Sequence, residues 1–394
     1  MSLKKKYFIQ FIIIFLFFTI SLSAQSFLIG HRTMNFTDPD RNDRPVPSEV
    51  YYPAVMAGNN TNCADGAFPV IIFGHGFLMT YDAYLYLKDA LVPLGYIITY
   101  TKTEGGMSPN HAEYGTDLAF LINQMKAEGA DPVSPFHLHI DSTSALMGHS
   151  MGGGASFLAC ANNTIPTAMI TFAAAETNPS AIAAASDITI PSLVFAADED
   201  CVTPPPQHQV PMYDSLASDC KVYISIKGGG HCYFGDYNFL CSLGEVGCQQ
   251  NFTITREQQH AVILDFLVPY LDYNLKNDAS AWILFNDSLE SSSRIDFEKL
   301  CTVTATEYYN TESEFFVFPN PASDILFVRI TGCAGITVNL SIRSVTGNII
   351  LKKNIYPGFD TIDFNTDISS FPEGFYILEL LGSEKYYYRF FLKN

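Results

Sequence analysis

The chain has 394 residues, of which 48% are hydrophobic and 16% charged, and this composition excludes collagen-like and intrinsically disordered chains. The length is more than a single domain usually needs, so we expect one large core and a smaller module. The formal net charge of −18 argues against a nucleic-acid partner, because binding phosphates requires a basic surface.

Residues 1–24 are predicted to form a signal peptide. Three lysines at positions 4–6 precede an apolar run over residues 7–20, and small residues follow as far as Ala24. This order is typical of a secretory signal, and we expect cleavage near Ala24. The apolar run is too short to cross a bilayer comfortably, so we expect no permanent membrane span; a retained N-terminal membrane helix is the alternative.

Short apolar runs alternate with longer helical patterns from residue 27 to about residue 273. This alternation predicts an α/β architecture, a mostly parallel sheet flanked by helices, within a catalytic domain over residues 25–301. The predicted strands are Glu49–Tyr52, Pro69–Phe73, Tyr96–Tyr100, Ser144–Met147, Ala168–Phe172, Ser192–Ala196 and Lys221–Ile226. The predicted helices are Tyr81–Leu91, Tyr114–Met125, Met151–Ala161, Glu257–Leu271 and Ala281–Leu300.

The composition changes after Cys301. Residues 302–314 are rich in Thr, Glu and Tyr without an apolar period, which indicates a linker. From residue 315 short strand-like runs recur between turns, which predicts a small all-β, Ig-like sandwich over residues 315–394. Its predicted strands are Ile325–Ile330, Ile336–Ile342, Asn348–Lys352, Phe375–Leu381 and Tyr386–Leu392.

A G-x-S-x-G motif stands at Gly148–Gly152, between a predicted buried strand and a helix of small residues. In a nucleophile elbow the Ser occupies a sharp strand-to-helix turn, and glycines on both sides avoid clashes with the neighbouring strand and helix. The N-terminus of the following helix favours negative charge at the site. We therefore predict that Ser150 is a nucleophile.

A second glycine turn, Gly74–Gly76, follows another apolar strand. Enzymes with a nucleophile elbow place an oxyanion donor in the loop after an early strand. We assign the oxyanion hole to the backbone N–H groups of Phe77 and Met151. The alternative is a tight turn without chemistry.

The acid and the base are expected after the nucleophile, in that order. One predicted strand runs into three acids, of which Asp200 lies deepest in the loop, close to Pro204, and Asp198 is the second candidate. A later strand ends in three glycines before His231, and these glycines let the backbone turn the histidine back over the sheet. Two other histidines lack this placement and are not assigned as the base: His208 and His260.

Nine cysteines in an exported chain favour disulfides. Cys201 and Cys232 each directly follow a proposed triad member, and Cys241 and Cys248 are close enough to close a small loop. The sequence does not fix the pairing, and two further cysteines are alternative partners: Cys63 and Cys220. Cys160 lies in an apolar stretch and is expected to be a buried free thiol. The Cys and His spacings predict no metal site, and the chemistry requires no cofactor.

These motifs resemble those of the secreted α/β-hydrolases of the polyester-hydrolase and cutinase-like group, which is similar to the dienelactone hydrolases. The resemblance covers roughly residues 27–275 and rests on Arg44–Pro53, Gly76–Phe77, Gly148–Gly152, Asp200–Pro204 and Gly229–His231. It implies an α/β-hydrolase fold. It also favours Asp200 over Asp198 as the acid, and Phe77 over Leu78 as the oxyanion donor.

The same resemblance suggests a disulfide between Cys201 and Cys232. Polyester hydrolases carry a Trp after the strand that follows the nucleophile helix, where this chain has residues 173–177 without a Trp. We expect His149 and Tyr81 to contact the substrate.

Residues 315–394 resemble the C-terminal sorting domain of the type IX secretion system. The matching stretches are Phe318–Ser323, Gly347–Asn348, Asp367–Ser369, Gly374–Ile377 and the tail at Lys393. The resemblance implies the type IX machinery as a partner and a secreted or cell-surface location. The alternative is an ordinary Ig-like adhesion or substrate-binding module.

The motifs together predict a secreted serine carboxylic-ester hydrolase, acting by Ser-His-Asp acyl transfer on a small or polymeric ester. One alternative is a secreted peptidase or acyl-peptidase with the same triad. The other is a non-catalytic surface binding protein on a hydrolase fold, which normally lacks a triad member; none is missing here.

Overall fold

The computed structural model describes residues 26–161, 163–248, 251–301, 315–331, 338–344, 349–355, 361–381 and 386–393. The predicted signal peptide and the predicted linker over residues 302–314 lie outside the described residues.

Ten strands between residues 28 and 301 form one sheet. They are β1 (Leu28–Asp38), β2 (Arg44–Ala54), β3 (Gly58–Asn59), β4 (Phe68–Gly74), β5 (Ile97–Thr101), β6 (Ile140–His149), β7 (Ala168–Phe172), β8 (Ser192–Ala197), β9 (Cys220–Ile226) and β10 (Ile295–Cys301). Their order across the sheet is β10-β9-β8-β7-β6-β4-β5-β2-β1-β3. The six neighbours from β9 to β5 run parallel, and antiparallel β10 and β2 border them. The predicted mostly parallel sheet is confirmed.

Within the described residues, eight α-helices accompany this sheet. They are α1 (Leu85–Leu91), α2 (His111–Ala130), α3 (Met151–Cys160), α4 (Ala181–Ala185), α5 (Gln209–Ser215), α6 (Phe239–Gly244), α7 (Arg256–Lys276) and α8 (Ala279–Ser291). Helices α2 to α5 pack on one face, and α1, α7 and α8 pack on the other.

Side-chain alternation along the central strands explains why both faces are covered. In β4, Val70 and Ile72 belong to the core under α2 to α5, whereas Ile71 and Phe73 belong to the core under α1, α7 and α8. Successive side chains of a strand point to opposite faces, so an apolar run must be buried on both. Because the six central strands run parallel, their carboxyl ends meet at one edge of the sheet, which we call the carboxyl edge.

One predicted helix is partly wrong. The segment predicted as Ala281–Leu300 is helical only as far as Ser291, and Ile295–Cys301 forms β10, paired antiparallel with β9. Three consecutive serines at 291–293 separate the two elements. The sequence prediction also omitted β1, β3 and the short helices α4, α5 and α6, whose apolar patterns are too short or too irregular to indicate an element.

Seven strands among the described residues from 315 onward form two antiparallel sheets. One contains β11 (Phe315–Phe318), β12 (Ile325–Thr331) and β15 (Thr361–Asp367); the other contains β13 (Val338–Ser344), β14 (Ile349–Ile355), β16 (Gly374–Leu381) and β17 (Tyr386–Lys393). Leu326 and Val328 of the first sheet share a buried core with Leu340, Ile342 and Leu378 of the second. The predicted all-β sandwich is confirmed.

Within the described residues, none of the helices combines the length and the apolar character that crossing a membrane requires.

Candidate active site

Ser150 occupies the turn between β6 and α3, with φ 54° and ψ −119°. This backbone conformation is strained for a residue with a Cβ atom. Three backbone hydrogen bonds hold it: the Ser150 N–H donates to the Phe172 carbonyl at 2.9 Å, and the Ser150 carbonyl accepts from Gly154 and Ala175 at 3.0 and 2.9 Å. The turn therefore fixes Ser150 at the carboxyl edge of the sheet.

The two outer glycines of the motif have no room for a side chain. A Cβ atom on Gly148 would lie 2.3 Å from the Gly152 carbonyl oxygen, and one on Gly152 would lie 2.1 Å from the Gly74 carbonyl oxygen. The elbow thus packs backbone against backbone on the Gly74–Gly76 turn. The steric role predicted for these glycines is confirmed.

Phe77 and Met151 line the same depression as Ser150. Phe77 lies in the loop after β4, and Met151 is the first residue of α3. Among the described residues, no protein acceptor takes a hydrogen bond from either backbone N–H. Both donors are therefore available to a ligand atom in the depression.

Asp200 and His231 form a buried pair, 4% and 3% exposed. The Asp200 Oδ2 atom lies 2.7 Å from His231 Nδ1. The other oxygen, Oδ1, accepts hydrogen bonds from the backbone N–H groups of Val202 and Thr203, both at 2.8 Å. These contacts fix the carboxylate and assign the Nδ1–H tautomer to the imidazole, which leaves Nε2 as an acceptor.

Thr203 contacts both Asp200 and His231 and also lines the depression, and the sequence motifs did not predict this role. Its hydroxyl lies 2.8 Å from Asp200 Oδ2 and 3.1 Å from His231 Nδ1, and it accepts a hydrogen bond from the Gln209 amide at 3.1 Å. Thr203 also lines the depression together with Ser150. Its position three residues after Asp200 is the only sequence signal that points to this role.

The second candidate acid points elsewhere. Asp198 is exposed, and its Oδ1 accepts the Gly228 N–H at 2.6 Å. His260 stacks on Tyr86 with ring centroids 3.7 Å apart. His208, set aside as a base, lines the depression and accepts the Glu176 N–H on Nδ1 at 2.9 Å. Burial lowers the pKa of His208.

His149 does not contact the depression, so the expectation that it binds substrate is wrong. The side chain is fully buried. Its Nδ1 atom lies 2.8 Å from the Tyr84 hydroxyl, and its Nε2 atom lies 3.1 Å from the His231 carbonyl oxygen. The carbonyl can only accept, so Nε2 carries the proton and Nδ1 accepts from Tyr84. Burial lowers the pKa of His149.

Tyr84 extends this connection to the oxyanion loop. Its hydroxyl accepts the Gly76 N–H at 3.0 Å while it donates to His149. One chain of hydrogen bonds therefore runs from the Gly76 loop through Tyr84 and His149 to the backbone of His231. Neither the sequence spacing nor the motifs indicated this chain.

The depression beside Ser150 has a volume of about 460 Å³. Besides the residues already described, it is lined by Pro109, His111, Ala175, Glu176, Thr177 and Val202. Tyr81 lies outside this lining, with its ring next to Tyr100 and Lys102, and its contact with substrate stays a prediction. Ala175 stands in the stretch that lacks the Trp of the polyester hydrolases.

All four cysteines proposed for disulfides are bonded, but the expected pairing is wrong. The bonds are Cys201–Cys248, Cys232–Cys241 and Cys220–Cys301. The segment that carries α6 supplies a cysteine to each of the acid and base loops, so each loop is bonded to this segment instead of to the other loop. Cys160 is a buried free thiol, as predicted. No cluster of three or more His, Cys, Asp or Glu side chains within the described residues is placed to hold a metal ion.

A mostly parallel sheet with a strained serine at the β6–α3 turn defines the α/β-hydrolase class of fold. Residues 47–252 match the family described as PET hydrolase-like, and the chain belongs to this family.

Three curated relatives are similar over this region. The chain is 26% identical to the cutinase est1 of Thermobifida alba over 46% of this chain and 56% of that protein. It is 27% identical to cutinase 1 of Thermobifida cellulosilytica (46% and 64%) and 24% identical to the bis(hydroxyethyl) terephthalate hydrolase of Streptomyces coelicolor (46% and 54%). The chain therefore spans little more than half the length of these relatives.

Residues 316–394 match the secretion system C-terminal sorting domain. This match confirms the predicted export through the type IX system, to the cell surface or the medium.

Proposed function

We propose that the protein is a secreted serine carboxylic-ester hydrolase, with Ser150 as nucleophile, His231 as general base and Asp200 as the orienting acid. The observation that carries this proposal is the buried Asp200–His231 contact of 2.7 Å, made at the carboxyl edge beside the strained Ser150. Open α/β sheets bind their ligands at this edge.

The reaction is an acyl transfer. Ser150 Oγ attacks the ester carbonyl carbon while His231 Nε2 takes the hydroxyl proton, and the C–O bond to the alcohol breaks as His231 returns that proton to the leaving oxygen. Water then attacks the acyl-enzyme with the same base, releasing the acid and regenerating Ser150. Asp200 keeps Nδ1 protonated and stabilises the imidazolium that forms.

The tetrahedral oxyanion is held by the backbone N–H groups of Phe77 and Met151. Each donor of this kind contributes about 3–4 kcal/mol to transition-state stabilisation. Phe77 belongs to the loop that Tyr84 and His149 connect to His231. We propose that this chain keeps the oxyanion loop and the base in register.

The substrate is an ester of a short acyl group or of a polyester. This follows from the similarity to proteins named as cutinases and as a bis(hydroxyethyl) terephthalate hydrolase. Ala175 offers no aromatic ring in the stretch where the polyester hydrolases carry a Trp, whereas Phe77, His111 and His208 line the depression with other rings.

We further propose the division into a signal peptide (1–24), a hydrolase domain (25–301), a linker (302–314) and a sorting domain (315–394). The large sheet ends with β10 at Cys301, and the first strand of the small sandwich begins at Phe315. The match over residues 47–252 lies within the proposed hydrolase domain, and the match over residues 316–394 lies within the proposed sorting domain.

Hydrolysis of a series of p-nitrophenyl esters, from short to long acyl chains, tests the proposal. We expect turnover that decreases beyond short chains and that Ser150→Ala reduces by about 10⁶-fold with the fold unchanged in circular dichroism. Equal turnover by Ser150→Ala would overturn the assignment of the nucleophile. Activity on matched amides but not on esters would instead identify a peptidase, and no reaction with an organophosphonate would identify a binding protein.

A further inference from the structure

The hydroxyl group of Thr203 lies at the centre of four hydrogen-bonding contacts. The residue is 3% exposed, and its Oγ1 atom lies 2.8 Å from Asp200 Oδ2 and 3.1 Å from each of three further atoms: His231 Nδ1, the Ala173 carbonyl oxygen and Gln209 Nε2. A hydroxyl has one proton to donate and two lone pairs that accept. The chemistry of the four neighbours therefore decides which hydrogen bond the proton forms.

Gln209 is the neighbour that fixes the direction of this hydroxyl. Its side chain is fully buried at the start of α5, and its Nε2 atom donates to the Ala174 carbonyl at 2.7 Å and to Thr203 Oγ1 at 3.1 Å. Rotating the amide by half a turn would place its oxygen against the Ala174 carbonyl oxygen, and two acceptors repel each other. The amide nitrogen therefore faces Thr203, and the hydroxyl accepts a hydrogen bond from it.

The amide oxygen of Gln209 gives a second reason to connect this residue with function. This Oε1 atom is buried and has no donor among the described residues. An unpaired buried oxygen lowers the stability of a protein, and local costs of this kind are typical of functional sites. The contribution of the Gln209 amide is therefore the pair of hydrogen bonds that its nitrogen donates, one of them to Thr203.

The proton of the Thr203 hydroxyl goes to Asp200. Two acceptors are within reach, and the carboxylate oxygen at 2.8 Å is both closer than the Ala173 carbonyl oxygen at 3.1 Å and charged. Hydrogen bonds to an ionised acceptor are shorter and stronger than those to a neutral one. Asp200 Oδ2 therefore accepts two hydrogen bonds, one from Thr203 and one from His231 Nδ1.

This hydroxyl is the second anchor of the Asp200 carboxylate. Oδ1 is held by the backbone N–H groups of Val202 and Thr203, but a carboxylate held at one oxygen can still tilt about that oxygen and move the other. Among the described residues, Oδ2 has no donor besides His231 and the Thr203 hydroxyl. Catalytic groups must be held to within about 0.5 Å of their productive geometry, so the second anchor matters for the position of the base.

We propose that Thr203 is a positioning residue of the proposed triad: its hydroxyl, oriented by Gln209, holds Asp200 Oδ2 where this oxygen accepts the N–H of the general base. The proposal rests on the proposed function, because it takes His231 as the base. Thr203 exchanges no proton with the substrate and acts only through Asp200.

Hydrolysis of p-nitrophenyl butyrate by Thr203→Val tests the proposal, because Val nearly keeps the shape of Thr and lacks the hydroxyl. We expect kcat to fall about tenfold with KM nearly unchanged, since the lost hydrogen bond is one to a charged group that stabilises the imidazolium. Thr203→Ser keeps the hydroxyl and should stay within about threefold of the parent kcat. The matched control is Thr171→Val in β7, because the Thr171 hydroxyl is buried without a partner among the described residues and its loss should leave kcat unchanged.

A double-mutant cycle separates this role from a purely structural one. In an Asp200→Asn background, Thr203→Val should lower kcat by less than about twofold, because the carboxylate that the hydroxyl holds is gone. Gln209→Met removes the amide donor and leaves Thr203 in place, and it should lower kcat about threefold, because the hydroxyl is then free to turn to the Ala173 carbonyl. This variant keeps the test available if circular dichroism shows that Thr203→Val does not fold.

Proton NMR of the resting protein measures the same contact without a substrate. The His231 Nδ1–H, bonded to Asp200, should give a resonance far downfield of the other imidazole protons. We expect Thr203→Val to move this resonance upfield and to broaden it, because the hydrogen bond to a tilting carboxylate is weaker and its proton exchanges faster. Thr203→Ser and Thr171→Val should leave it in place.

Several results would overturn the positioning role of Thr203. They are an unchanged kcat or an unchanged resonance in Thr203→Val, an equal loss in Thr171→Val, the full loss in the Asp200→Asn background and, if Thr203→Val does not fold, the parent kcat in Gln209→Met. A raised KM with an unchanged kcat would also overturn it, because the hydroxyl would then contact the substrate. Failure of the parent to hydrolyse any soluble ester would overturn the proposed function, while the resonance would still judge the Thr203 contact separately.

Discussion

The two sides of the proposed active site are built in opposite ways. On the nucleophile side, β6, α3 and the Gly74 turn meet through backbone atoms, so closely that a single Cβ atom has no space. On the acid and base side, long loops are held by side-chain hydrogen bonds and by disulfides. The first side depends on the absence of side chains, and the second depends on particular side chains and on an oxidising compartment.

Replacing Asp200 breaks the acid and base side most directly. Asp200→Asn keeps the shape but can present an amide N–H₂ to His231 Nδ1, which favours the wrong imidazole tautomer. We expect kcat to fall about 10⁴-fold, or about 5 kcal/mol, in ester hydrolysis. Asp198→Asn is the matched control, because its retained Oδ1 still accepts the Gly228 N–H. Equal losses in the two variants would refute the assignment of Asp200.

Removing the Cys201–Cys248 bond tests how far the same side depends on cross-links. This bond closes a loop of 47 residues, whereas Cys232–Cys241 closes one of 9. Loop-closure entropy predicts a loss of about 4 kcal/mol for Cys201→Ser with Cys248→Ser, and of about 2.5 kcal/mol for Cys232→Ser with Cys241→Ser. Urea unfolding of the two double variants measures both values, and a reversed order would contradict the entropic account.

Adding one methyl group tests the nucleophile side. In Gly152→Ala the new Cβ atom would lie 2.1 Å from the Gly74 carbonyl oxygen, so β4 and α3 must separate. We expect a loss of about 3 kcal/mol in the free energy of unfolding, together with slower ester hydrolysis. Gly244→Ala on α6 has nothing within 4 Å of its Cβ atom and should change stability by about 0.5 kcal/mol or less. If Gly152→Ala left the free energy of unfolding unchanged, the backbone of the elbow would have to shift more easily than its contacts indicate.

The sequence was informative where chemistry depends on a local pattern. The G-x-S-x-G motif, the glycines before His231 and the apolar runs of the central strands each determine their structure within a few residues, and each prediction agrees with the structure. The strand prediction at Ala168–Phe172 agrees to the residue. The roles of Ser150, Asp200 and His231 in catalysis remain predictions.

Long-range contacts explain what the sequence could not show. The pairing of Cys201 with Cys248 joins residues 47 positions apart, and no spacing rule predicts the path of the chain between them. We expect from the sequence that His149 contacts the substrate, yet Tyr84, 65 positions away in the sequence, holds it in the interior. Helix α6 lacks a buried face, and an apolar pattern without a buried partner carries no information on where the helix packs.

His149 allows a smaller test of how the two sides are connected, because its folded-state pKa lies below the ordinary value of about 6.5. Above pH 6.5 the residue is neutral in both the folded and the unfolded state, and its contribution to stability is complete. As the pH falls below 6.5, the unfolded state binds a proton that the folded state does not, so the free energy of unfolding falls by about 1.4 kcal/mol per pH unit. His149→Gln should remove that part of the slope.

Urea unfolding between pH 5 and 7 measures the difference between wild type and His149→Gln. The other histidines whose pKa burial lowers, His75, His208 and His260, are present in both proteins and cancel in the difference. Tyr84→Phe is the control, because it removes a hydrogen bond but keeps the titrating imidazole, so the wild-type slope should persist at lower stability. Identical slopes for wild type and His149→Gln would show that His149 takes up a proton in the folded state, and the hydrogen-bond chain from Gly76 to His231 would then not hold at acidic pH.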